Sequence, residues 1–310
     1  MNRKDVVAVT SRSFSKNKIL TNELRSRYEK VILNSDGKTL AGESLINFLE
    51  DADKVIVGLE KFDKKVLDYL PNLKVIAKYG VGLNNIDLVE LKKKNIRLSF
   101  RPGVNKTSVA ELTMLLILMS LRKVHTSMAN IKDRIWSQER GQELTNKTIG
   151  ILGFGNIGNL LADFLKPYGC RIIGFDIKKI ERELVKQCSI EEIFLDADIV
   201  SIHLPLTDSL KGLIDEKLFK ISKKDLKLIN TSRGGLVNEE HLYNFLLENQ
   251  KAFAAFDVFE VEPAFDSPLL TLKNFFATSH LGSMTKEGVI AMGLAAVSYT
   301  HLRAHETDRY

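Results

Sequence analysis

Three side chains suited to proton and anion chemistry follow directly after apolar, strand-like runs in the second half of the chain. Arg233 lies in Asn230-Thr-Ser-Arg-Gly-Gly235, Glu262 in Asp257-Val-Phe-Glu-Val-Glu-Pro263, and His280 in Ser279-His-Leu-Gly282. Singly, an Arg or Glu in a loop is ordinarily solvated, and a lone His is ordinarily structural. As a set they meet the needs of hydride chemistry on an anion that bears a hydroxyl. A guanidinium clamps a carboxylate with a forked pair of bonds and polarises a developing carbonyl oxygen. An imidazole carries the hydroxyl proton near neutral pH. A carboxylate beside the imidazole fixes the ring and favours its protonated form. Arg233, Glu262 and His280 are therefore the candidate catalytic residues.

The partner for such chemistry is written upstream. Thr148–Gly158 reads TIGILGFGNIG, an apolar strand that ends in Gly153-Phe-Gly155-Asn-Ile-Gly158 with a helix expected from near Asn156. Gly153 permits the tight turn, Gly155 lets backbone approach a pyrophosphate, and Gly158 lets helix and strand pack closely. A lone glycine pattern is weak evidence, but here a second strand, RIIGF, follows and ends in Asp176, 18 residues beyond Gly158. A carboxylate there can hold adenosine ribose hydroxyls and repel a 2′-phosphate, which favours NAD over NADP despite Lys178 and Lys179 nearby.

These residues need a scaffold that lines up strand ends. Short β-branched runs alternate with longer amphipathic ones, which predicts an α/β protein built of two doubly wound parallel sheets. In the first part, strands are expected at Val6–Thr10, Lys30–Leu33, Lys54–Gly58, Leu73–Lys78 and Ile96–Ser99. In the second, they are expected at Thr148–Leu152, Arg171–Phe175, Ile199–His203, Leu228–Asn230, Ala252–Phe256 and Asn274–Thr278. Pro102 and Gly103 punctuate the join. A helix from Ser108 to about Lys123 follows, apolar on nearly all sides, which implies burial or a subunit contact; a dimer is the favoured reading.

Composition narrows the classes. The chain has 310 residues, 44% hydrophobic and 27% charged, with a formal net charge of +6. The Lys and Arg are scattered, which suits a solvated face and an anionic substrate rather than nucleic acid. Cys170 and Cys188 form neither a disulfide framework nor a metal spacing, so no metal is expected. The N-terminus runs straight into a strand, and the most apolar stretch, Leu112–Leu121, is too short to span a bilayer. The expected setting is the cytoplasm, with no membrane partner.

The motifs together resemble the D-isomer-specific 2-hydroxyacid dehydrogenase family, nearest its short phosphoglycerate-dehydrogenase-like branch. The matching segments are Lys78–Asp87, Gly153–Gly158, Asp198–Pro205, Asn230–Gly235, Asp257–Pro263 and His280–Gly282. The resemblance implies a flavodoxin-like substrate domain, split by an inserted Rossmann NAD domain. The expected bounds are 1–101, then 102–283 for the NAD domain, then a return at 284–296. It implies NAD as cofactor, a small anionic 2-hydroxy or 2-keto acid as substrate, and a homodimer joined through the NAD domains. It implies Arg233 as substrate clamp, Glu262 as partner and His280 as proton donor or acceptor. It implies that backbone N–H groups around Gly80, Val81 and Gly82 meet the substrate carboxylate. It places Asn156, Ile157, Asp176, Thr231, Ser232 and Asp257 on the cofactor with the three glycines and Gly282, and lines its adenine side with Pro205. Asp257 is expected at the nicotinamide carboxamide.

Two departures matter. Phosphoglycerate enzymes usually carry an Arg in the loop after the third strand; this chain has Val57-Gly-Leu-Glu-Lys61, where Glu60 opposes a phosphate and Lys61 is the nearest substitute. The substrate stays open among 3-phosphoglycerate, glycerate or hydroxypyruvate, glyoxylate and D-lactate-like acids. Glyoxylate or hydroxypyruvate reductase is the alternative activity, and a non-catalytic NAD-sensing corepressor on the same fold is a rival that needs no Arg233, Glu262 or His280. The end of the chain, Val297–Thr307, resembles a translated sequencing adapter. Residues 297–310 are therefore expected to be a non-native tail and are set aside.

Overall fold

The computed structural model describes residues 3–301. It divides into two compact units, one holding residues up to Asn105 and those from Thr285 on, the other Lys106–Met284.

The first unit opens as β1 (Val6–Val9), α1 (Arg12–Lys16), α2 (Lys18–Arg27), β2 (Lys30–Leu33), α3 (Glu43–Leu49), β3 (Lys54–Val57), α4 (Lys64–Asp68), β4 (Val75–Lys78), α5 (Leu88–Lys93) and β5 (Arg97–Ser99). Its five strands are all parallel in the order β2-β1-β3-β4-β5, the flavodoxin-like arrangement. β3 and β4 are buried at every position, as strands covered by helices on both faces must be.

The second unit runs α6 (Lys106–Arg122), α7 (Val124–Lys132), β6 (Thr148–Leu152), α8 (Asn156–Leu165), β7 (Arg171–Phe175), β8 (Val185–Gln187), α9 (Ile190–Asp196), β9 (Ile199–Ile202), α10 (Glu216–Ile221), β10 (Lys227–Asn230), α11 (Glu239–Glu248), β11 (Phe253–Phe256) and β12 (Phe275–Ala277). Its seven strands are parallel in the order β12-β11-β10-β9-β6-β7-β8, a Rossmann order extended by one strand. Leu116, Ile117 and Leu121 of α6 join Ile149, Ile151, Leu161 and Leu165 in one core. A second core centres on phenylalanines, with Phe219 stacked on Phe245 at 5.0 Å and Phe256 edge-on to Phe275 at 5.5 Å.

The chain then returns to the first unit as α12 (Lys286–Tyr299), packed on α2. Residues 297–301, set aside on sequence grounds, belong to this packing. Val297 and Thr300 are fully buried, and the Tyr28 hydroxyl lies 2.8 Å from Thr300 Oγ1.

Two elements depart from the expected pattern. β8, Val-Lys-Gln, is an additional edge strand. α7 adds a helix with no buried residue. The long helix α6 is also less enclosed than its composition suggests: Ala110, Thr113 and Ile117 are buried, but Leu115 is 52% exposed.

Gly150, in the middle of β6, sets how closely α9 lies on the sheet. A Cβ there would stand 2.3 Å from Ile193 Cγ2 and 3.3 Å from Ala197 Cβ, both fully buried. Gly150→Ala is expected to lose about 1–3 kcal/mol by overpacking, read as a lower urea midpoint with unchanged slope.

Candidate active site

The glycine turn stands at the switch point of the second sheet, between β6 and β9, where strand order reverses. Gly153 has φ +99°, and a Cβ on it would lie 2.8 Å from the His203 carbonyl oxygen. A Cβ on Gly158 would lie 2.0 Å from the Gly153 carbonyl oxygen. Among the described residues, and its chain neighbours aside, nothing stands within 4 Å of where a Gly155 Cβ would be. The helices differ in a telling way. α9, α10 and α11 each begin with a side chain capping their first N–H groups, whereas α8 begins at Gly155 with none. Its first turn, with Asn156 and Ile157, leaves N–H groups for an anion.

Asp176, at the end of β7, is drawn to this turn. Its Oδ2 accepts from Phe154 N–H at 2.7 Å and its Oδ1 from Lys178 N–H at 2.9 Å. Each oxygen keeps further acceptor capacity for a ribose hydroxyl. A shallow cavity of about 210 Å³ opens beside the turn, lined by Lys106, Gly155, Asn156, Asn159, Asp163 and Arg182. Arg182 grips Asp163 at 2.6 and 3.2 Å and Asn159 Oδ1 at 2.7 Å. No sequence motif marked Arg182. An open turn bounded by close backbone approaches, an uncapped helix and an anchored carboxylate fit a dinucleotide.

The Arg233 loop is shaped from below by Asn230, which is fully buried. Asn230 Nδ2 donates to Arg233 O at 2.9 Å, and its Oδ1 accepts from Ser232 N–H at 3.1 Å and Ser232 Oγ at 3.0 Å. Thr231 Oγ1 meets Thr113 Oγ1 of α6 at 2.7 Å. The hydroxyls of Thr231 and Ser232 are thus bonded within the fold. Gly234 then lies flat on the next loop: a Cβ would stand 1.9 Å from the carbonyl carbon and oxygen of Phe259. That contact holds the Arg233 loop against the loop that carries Glu262.

Glu262 accepts from Phe259 N–H at 3.0 Å through Oε1, and its Oε2 lies 2.9 Å from His280 Nδ1. His280 has φ +56°, a left-handed conformation uncommon outside glycine. Asp257 holds it. Its carbonyl accepts from His280 N–H at 2.9 Å. Its carboxylate accepts from Thr278 Oγ1 at 2.5 Å, Leu281 N–H at 2.6 Å and Gly282 N–H at 2.8 Å. Asp257 is 1% exposed. The residue expected at the cofactor therefore anchors the histidine turn, and Gly282, also expected there, is one of its donors.

Electrostatics binds the three candidates. The Glu262 hydrogen bond raises the His280 pKa above its ordinary value, against burial and the Arg233 charge. Burial alone would raise Glu262, but His280, Phe259 N–H and Arg233 together hold it below the usual carboxylate range. Burial lowers the Arg233 pKa and the Glu262 charge opposes that. With Nδ1 turned to Glu262, Nε2 is the His280 nitrogen presented for proton exchange. His203, after β9, differs: burial pushes it down to about 3, so it stays neutral at working pH. Its Nε2 lies 2.9 Å from Ser201 Oγ.

Pro205 is exposed beyond β9, and Gly80, Val81 and Gly82 follow β4 in the first unit, Gly80 with φ +131°. No group of three His, Cys, Asp or Glu that could hold a metal occurs among the described residues. No described helix is long and apolar enough to cross a membrane.

Residues 114–282 match the family model for the D-isomer specific 2-hydroxyacid dehydrogenase NAD binding domain. The chain is 35% identical over 265 residues to hydroxypyruvate reductase of Thermotoga maritima, covering 83% of this chain and 87% of that protein. It is 37% identical over 263 residues to D-3-phosphoglycerate dehydrogenase of Methanocaldococcus jannaschii, covering 82% of this chain but 50% of that protein. The chain thus spans about half the length of that phosphoglycerate dehydrogenase. Among solved structures it is similar to NAD+-bound 3-phosphoglycerate dehydrogenase of Entamoeba histolytica, with a TM-score of 0.81, 28% identity and coverage of 96% and 94% of the two chains.

Glu262→Gln removes the charge that favours imidazolium. The His280 ring titration, followed by proton NMR, is expected to move to lower pH.

Proposed function

The chain belongs to the D-isomer-specific 2-hydroxyacid dehydrogenases, NAD-dependent oxidoreductases of CH–OH groups, and we propose that Arg233, Glu262 and His280 form its catalytic set. The observation that carries this is the 2.9 Å bond between His280 Nδ1 and Glu262 Oε2, beside a half-buried guanidinium.

Gly153, Gly155, Asn156, Ile157, Gly158 and Asp176 would hold NAD, which when bound supplies the site that accepts or returns hydride. The chain's own task is the proton. In oxidation the substrate hydroxyl gives its proton to His280 Nε2 as hydride leaves the same carbon, and the C–O single bond becomes a carbonyl. In reduction imidazolium returns that proton to the carbonyl oxygen. Glu262 stays ionised throughout and stabilises imidazolium. Arg233 clamps the substrate carboxylate and polarises the oxygen whose charge changes. The N–H groups of Gly80, Val81 and Gly82, in the first unit, are proposed as carboxylate donors.

NADH oxidation against a panel of 2-keto acids tests the reading. His280→Ala is expected to lower kcat/KM by about 10²–10⁴-fold. Turnover within a few-fold of the wild type would remove His280 from the mechanism.

We further propose a homodimer joined through the second unit. Leu115, Met128, Ile131, Ile135 and Trp136 are 50–86% exposed along α6, α7 and the segment that follows. Large apolar side chains clustered in sequence and left in water support a protein partner. Both cysteines are unpaired, which suits a reducing cytoplasm. Light scattering is expected to give twice the chain mass, and Ile131→Glu with Ile135→Glu to give the monomer. Monomeric wild-type protein would refute the dimer.

A further inference from the structure

We propose that Glu60 is a specificity-determining residue, which rejects a phosphate and accepts a hydroxyl on the third carbon of the substrate. The inference rests on the dehydrogenase reading above and deepens it.

The first unit has a switch point of its own, between β1 and β3, where strand order reverses. Ligands of open α/β sheets bind outside the carboxyl ends of strands at such a point. Glu60 bridges it. Its Oε2 accepts from Gly58 N–H at 3.0 Å, just past β3, and lies 2.7 Å from Thr10 Oγ1, just past β1. The carboxylate is pinned there rather than waving in solvent.

The two neighbouring lysines are bonded to other groups. Lys61 Nζ turns to Asp63 Oδ2 at 3.4 Å, the residue that caps α4. Lys78 is 4% exposed, and its Nζ donates to Gly58 O and, at 2.8 Å, to Asn85 Oδ1, so its charge is engaged beneath the loop.

Spacing supplies the rest. β4 neighbours β3 and leads into the Gly80–Gly82 turn proposed to bind the substrate carboxylate. Adjacent strands stand about 4.8 Å apart, comparable with the length of a three-carbon acid. With its carboxylate at the β4 turn, such an acid extends its third carbon toward the loop after β3. A hydroxyl there can donate to Glu60. A phosphate dianion meets a fixed like charge, which selects against it.

The test is kcat/KM with NADH for hydroxypyruvate, 3-phosphohydroxypyruvate and glyoxylate, the last lacking a third carbon and serving as reference within each enzyme. Glu60→Gln keeps the shape and an acceptor oxygen but loses the charge. Wild type is expected to favour hydroxypyruvate over its phosphorylated form by roughly 100-fold, and Glu60→Gln to raise the phosphorylated-to-glyoxylate ratio roughly tenfold. Glu60→Arg is expected to raise it further. Equal use of both three-carbon acids by wild type, or an unchanged ratio in both variants, overturns the role of Glu60 and leaves the dehydrogenase reading intact. Failure of wild type on all three acids overturns both.

Discussion

A buried carboxylate with no cation bonded to it is costly unless hydrogen bonds replace its water. Asp257 meets that condition with three donors, all from the turn that carries His280. Hydrogen bonds to a charged group contribute about 1.5–3 kcal/mol each, enough to hold a histidine in a left-handed backbone conformation. That anchor fixes the backbone from which the ring reaches Glu262. The pairing of His280 with Glu262 therefore rests on the buried Asp257.

The same economy recurs around the cleft edge of the second sheet. Parallel strands end together, so the loops after β6, β9, β10, β11 and β12 are neighbours without any long-range device. Glycines then set how closely those loops approach. Gly153 lets β6 turn beside His203, and Gly234 lays the Arg233 loop on the Phe259 backbone. Asn230 fixes the conformation from which Arg233 departs. Guanidinium, carboxylate and imidazole consequently sense one another's charge: His280 is raised by its bond to Glu262, and Glu262 is held low despite burial.

Much of this was legible in the residue order. Strands buried on both faces must be continuous apolar runs, so VIAK, TIGIL, IVSI and FAAF announced themselves, and both sheets followed. The glycine pattern marked a turn that the structure sets at the switch point of the second sheet, with Asp176 bonded to it. What stayed hidden is physically intelligible. Val185–Gln187 is three residues long and exposed at two of them, so it carries no apolar signature. α7 buries nothing and therefore shows no face. That Asp257 anchors the histidine turn is invisible in sequence, because the N–H groups it accepts from lie 24 and 25 residues later. Nor does the sequence show that Lys61, the nearest substitute for an Arg there, turns to Asp63.

The most direct measurement of the central interaction is the pH dependence of kcat/KM in both directions with the native enzyme. A glutamate-supported histidine predicts reduction that declines, and oxidation that rises, through one common pKa above the ordinary histidine value. A profile flat across that range, or limbs that run the same way in both directions, would contradict proton exchange at His280.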